Sequence, residues 1–122
     1  MDILNEFNDK LLILIESLGK IVNNNLIVNN IYLIRKTIKK NKTKLIESFI
    51  FYVLPYKERI DNEEEEFFLN YEINLEDDTQ LLKDIFEFKN IWHILTEDNK
   101  SSIKNYLKYL CFLSQKYFVK NY

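Results

Sequence analysis

The sequence predicts an all-α fold, a compact bundle of four long helices plus a short acidic helix, in a single helical domain spanning residues 1–122. Three observations carry this. Apolar residues recur every three or four positions through the first twenty residues. The same spacing is better satisfied than alternation in the β-branched stretch that follows. The last third sets an apolar face against lysines that repeat every four residues on the other side.

Asp2 to Val22 places Leu4, Phe7, Leu11, Leu14, Leu18 and Ile21 on one stripe, widened by Leu12, Ile13 and Ile15. A stripe that wide, over fewer than three heptads, fits a core-facing bundle helix better than a dimer zipper. Asn23-Asn24-Asn25 interrupts it, and Ile27, Ile31, Ile34 and Ile38 resume it. Leu26-Ile27-Val28 and Ile31 to Ile34 are β-branched enough to be strand-like, yet the three-to-four spacing favours helix. A third set, Leu45, Ile46, Phe49, Ile50, Tyr52 and Val53, ends before Pro55, whose ring forbids an interior helix bond.

Pro55 to Thr79 reads as an irregular middle. Asp61 and Glu64 have the spacing of a capping box, and Glu63 to Glu66 favour the positive end of a short helix. Phe67, Phe68 and Leu69 give that helix its apolar end. Asn70 to Asp78 reads as a loop, with a small hairpin as the alternative because Tyr71, Ile73 and Leu75 alternate. Leu81, Leu82, Ile85, Phe86, Phe88, Trp92 and Leu95 then form one helix face, with Trp92 its largest core anchor. Thr96 is placed to cap a final helix that buries Ile103, Tyr106, Leu107, Leu110, Cys111, Leu113 and Phe118 and turns Lys100, Lys104 and Lys108 outward.

Composition excludes more functions than it suggests. Alanine is absent, and there is one glycine, one proline, two arginines, one cysteine and one histidine. A phosphate-cradling loop needs several glycines, structural zinc needs four Cys/His ligands, and nucleophile–base pairs usually need a placed histidine. The expectation is therefore a protein that is not an enzyme, with no cofactor, no metal and no catalytic residue. Lone His93 reads as structural or exposed, and Cys111, inside an apolar face, as a buried thiol. With 15 lysines, 16 isoleucines and 15 asparagines, codon bias in an AT-rich genome accounts for part of the Asn and Lys content. The first residues carry acid where a signal peptide would carry lysine. No apolar run approaches the roughly 20 residues that span a bilayer, so no membrane association and a cytoplasmic location are expected.

Charge is unevenly spread. Residues 1–60 hold 10 basic and 6 acidic side chains, net +4, and residues 61–122 hold 7 and 13, net −6. Arg35, Lys36, Lys39, Lys40, Lys42 and Lys44 place six positive charges in ten residues. They read as a solvated helix end, a nucleic-acid site or a site for an acidic protein, although the overall pI near 5.5 is low for a nucleic-acid module. Glu63, Glu64, Glu65, Glu66, Phe67 and Phe68 form the candidate partner-binding patch, acidic and aromatic together. The acidic run lacks the glycine and ligand spacing of a calcium loop. Glu87 and Lys89 lie in a helical pattern and diverge by about 200°, which does not suit a strand-borne nuclease motif.

Tyr52-Val53-Leu54-Pro55-Tyr56, Ile60-Asp61, Glu66-Phe67-Phe68-Leu69, Ile91-Trp92, Asn99-Lys100, Ile103 and Tyr106-Leu107 occur in that order. This pattern, over about residues 50–118, resembles small uncharacterised helical proteins of large nucleocytoplasmic DNA viruses, the giant viruses of amoebae among them. It departs at Lys104, where the pattern has a tryptophan after isoleucine. The resemblance implies an infection-associated helical protein of the host cytoplasm or viral factory and supplies no catalytic residue. The function expected is an interaction or adaptor protein that recognises a protein partner or a second copy of itself. The alternative is a nucleic-acid-associated factor using residues 35–44.

Overall fold

Asp2 starts the first helix by accepting the amides of Leu4 (3.0 Å) and Asn5 (3.3 Å) on its Oδ1, which satisfies two donors that have no partner inside the helix. The computed structural model describes residues 2–22, 25–72, 88, 89 and 91–122, without the side chains of residues 22 and 25–30. Helix α1 runs Ile3–Val22, α2 Asn25–Lys40, α3 Lys44–Tyr52, α4 Lys57–Asp61, α5 Glu65–Asn70 and α6 Glu97–Asn121. Short 3-10 turns occupy Leu54–Tyr56 and Trp92–Ile94. The fold is all-α, with no strand among the described residues. The loop or hairpin expected through Ile73 to Asp78, and the apolar residues Leu81, Leu82, Ile85 and Phe86, lie outside the described residues.

The α1 stripe faces inward as its spacing requires: Phe7, Leu11, Leu14, Ile15 and Leu18 are buried. Ile13 and Ile21 are exposed instead, because the described neighbours of α1, chiefly α2 and α6, cover a narrower face than the sequence offers. Phe7 meets Phe49 of α3 edge to face, centroids 5.3 Å apart. Asn8, buried beside it, donates its amide to the Lys42 carbonyl at 3.1 Å and so ties α1 to the turn between α2 and α3. That turn is held by Asn41, whose Oδ1 accepts from the Thr43 amide (3.1 Å) and hydroxyl (2.9 Å), an Asx turn.

Pro55 stops α3 as expected, but the middle is more regular than the sequence suggests. Leu54–Tyr56 forms a 3-10 turn with proline in its first positions, and α4 follows directly, burying Ile60. The capping box is not formed. Asp61 ends α4 and accepts a bond from Lys57, while α5 begins behind Glu64, whose side chain caps nothing. The break between them is Glu63, at a positive φ of 53°. The helix face expected to run through Phe88, Trp92 and Leu95 is also not a continuous helix: these residues bend through the 3-10 turn and all three are buried.

Thr96 caps α6 by accepting the Asn99 amide at 3.1 Å, with Glu97 and Asp98 at the positive end. Ile103, Leu107, Leu110, Cys111, Leu113 and Ser114 are buried, but beyond Ser114 no residue of α6 is. Phe118, expected in the core, is exposed for that reason. Side chains from all six described helices and the Trp92 turn share one hydrophobic core.

Candidate functional site

The acidic–aromatic segment folds inward. Phe67 is 2% exposed and Phe68 1%. Phe68 stacks on Trp92 with centroids 4.7 Å apart, while Phe67 stacks on Tyr71 at 4.8 Å and lies 5.7 Å from Tyr56. Burying each ring stabilises the fold by roughly 2–3 kcal/mol relative to exposure, so the core takes both and neither anchors a partner. The expectation of an exposed aromatic patch at Phe67 and Phe68 is corrected accordingly.

The four glutamates stay at the surface, but Glu63, Glu64 and Glu65 are engaged within the molecule, Glu64 by Arg59 at 3.6 Å. The Trp92 indole N–H, buried with its ring, donates to Glu65, as a buried indole requires. Lys104 reaches Glu65 at 3.1 Å and Lys100 at 3.7 Å, while Lys108 reaches Glu63 at 2.8 Å. Lys100 and Lys104 also lie 5.6 and 5.9 Å from the Trp92 centroid. Their side chains are only 16% and 15% exposed. The lysine stripe expected to face solvent is thus a seam that holds α5 against α6. The Trp92 bond, then the Lys104 bond and charge, hold the Glu65 carboxyl below its usual range, against the opposing effect of burial. The bond from Lys108 does the same for Glu63.

The basic segment is displayed. Arg35, Lys36, Lys39, Lys40, Lys42 and Lys44 are all exposed, on the second half of α2, the turn after it and the first residue of α3. Arg35 pairs with Glu16 of α1 at 2.7 Å. Among the described residues, no carboxylate forms an ion pair with the five lysines. Lys39 and Lys40 lie in the last turn of α2 and suit its negative end.

The third surface has no counterpart in the sequence expectations. An open groove of about 470 Å³ is lined by Ile3 of α1 and by Phe112, Gln115, Lys116, Val119 and Lys120 of α6. Phe112 is 49% exposed and Val119 74%. Phe112 stacks on Tyr109 at 6.1 Å, and the Tyr109 hydroxyl donates to Glu6, which pins the start of α1 beside the groove. That bond, reinforced by burial, raises the Tyr109 hydroxyl above its ordinary value. The signal was present in the spacing. Phe112 points about 200° away from Leu110, and Val119 returns to the same side seven residues on. The helix therefore carries a second apolar line facing away from the core.

Among the described residues, no group of three or more His, Cys, Asp and Glu side chains gathers as metal ligands would. His93 is exposed, and Cys111 is buried, which pushes its thiol up to about 12. No helix of the described residues is long and apolar enough to cross a membrane. No protein-family model, no curated protein and no solved structure matches the chain.

Proposed function

We propose that this protein is a non-enzymatic adaptor that recognises a protein partner through the groove at the end of α6. The observation that carries this reading is the pair Phe112 and Val119, large apolar side chains left open along a helix whose other face is buried from Ile103 to Ser114. The viral resemblance of residues 50–118 belongs to the same proposal, as does action in host cytoplasm or viral factory. So does a scaffold of four long helices plus a short acidic one. Self-association through opposed charged patches ranks lower, since Glu63 and Glu65 are already paired with lysines of α6.

A second reading keeps its own observation. Five exposed lysines, with no ion pair among the described residues, make residues 36–44 a fit surface for a nucleic-acid backbone. Affinity capture from infected or native cells, with and without nuclease, separates the two. Partners that survive nuclease and are lost on Phe112→Asp support the adaptor. Partners lost with nuclease, and on reversing Lys36, Lys39, Lys40 and Lys42 to glutamate, support the second reading.

A further inference from the structure

The groove at the end of α6 has a direction and a sign. Phe112, Lys116 and Val119 follow one another at i, i+4 and i+7, so they line one side of the helix for about 10 Å, two turns. Ile3 rises beside them from α1, making a trough instead of a bare ridge. Apolar anchors repeating at i, i+3 or i+4, and i+7 on a docking helix match such a trough. Among the described residues its charge is positive: Lys116 and Lys120 line it, and no described carboxylate does. The Lys116 ammonium stands 4.9 Å from the Phe112 ring centroid, which holds the cation directly above the apolar floor. An occupant must therefore be apolar beneath and acidic at its flanks.

Resting on the adaptor reading, we infer that the groove binds an acidic amphipathic helix of a partner protein, with its apolar residues on Phe112, Val119 and Ile3 and its carboxylates on Lys116 and Lys120. A second copy of the chain fits less well. A symmetric pairing of two such grooves brings Lys116 and Lys120 toward the same residues of the other copy, and like charges facing each other oppose association. An anionic lipid surface matches the charge as well, and phosphatidylserine vesicles are the probe that separates it from a helix.

The test uses the whole chain and three synthetic helical peptides with leucine at i, i+3, i+4 and i+7. Their flanks are glutamate, glutamine or lysine, and binding is read by fluorescence anisotropy. The glutamate peptide is expected to bind about ten-fold tighter than the glutamine peptide, the worth of two exposed ion pairs, and the lysine peptide not measurably. Reversing both groove lysines, Lys116→Glu with Lys120→Glu, inverts that order. Phe112→Asp abolishes all binding, and circular dichroism checks that each variant remains helical. Equal binding of the three peptides, no binding of the acidic one, preference for phosphatidylserine vesicles, or a dimer that Phe112→Asp dissociates would each overturn the inference. Cellular partners lost on Phe112→Asp without any acidic preference sink this inference and leave the adaptor reading standing. Partners indifferent to Phe112→Asp sink the adaptor reading.

Discussion

Phe68 lies flat against Trp92, ring centroids 4.7 Å apart and planes 9° from parallel, and this stack joins α5 to the turn that precedes α6. Both rings are almost fully buried, and the indole N–H is satisfied by Glu65 on the same short helix. A six-residue helix is far too short to persist alone. Its place depends on these contacts.

Phe68→Ala and Trp92→Ala should each lower stability by about 3–5 kcal/mol, against a typical total of about 5–15 kcal/mol. Urea midpoints measure this. Losses below about 1 kcal/mol would mean that the stack is not what holds α5.

The Glu65 carboxylate links stability to acid. Its folded value is lowered below the ordinary 4.5, chiefly by the Trp92 bond. The unfolded chain therefore takes up the proton more readily, and the stabilisation is complete above that ordinary value and lost as pH falls through the lowered one. Wild type should exceed Glu65→Gln in stability at about pH 7, and the difference should shrink as pH falls below the ordinary carboxylate value. A difference that stays constant across this range removes Glu65 from the account.

Cys111 should resist modification while the protein is folded. It is fully buried, and its thiol is pushed up to about 12, first by burial and then by the charge of Asp61. Only the thiolate reacts readily. Iodoacetamide should label the protein in urea and leave it unlabelled in buffer. Rapid labelling under native conditions would show that the core opens around α6.

Glu63 stands in the left-handed region at φ 53°, where a Cβ is unfavourable and glycine is not. It also pairs with Lys108 at 2.8 Å, an exposed contact that salt screens. Glu63→Gly should thus hold or raise the melting temperature, and the gain should be larger in high salt. A melting temperature that drops at every salt concentration would show that the Lys108 pair outweighs the backbone strain.

The sequence made some of this readable and concealed the rest for physical reasons. The stripe from Phe7 to Leu18, the stop at Pro55, the Thr96 cap and the burial of Trp92 all depend on local pattern, and all appear in the structure. The fate of Phe67 and Phe68 depends on contacts made across the chain. A six-residue element has too few turns to establish a period, and its inward face is set by Trp92, 24 positions beyond Phe68. Lys100, Lys104 and Lys108 have the spacing of a solvated face whether or not glutamates arrive to meet them. Phe112 lies off the buried face by its spacing, whereas Phe118 shares the side of Cys111 and is open only because no described neighbour covers it.

The bond from Tyr109 to Glu6 spans 103 positions. Helix α1 leaves the ribosome before α6, so Phe7, Leu11 and Leu14 stay uncovered until the helix that completes their shelter follows. The nascent chain must therefore carry an adhesive stripe until α6 emerges. Chaperone demand during translation, rather than the stability of the finished molecule, is where this arrangement is felt first.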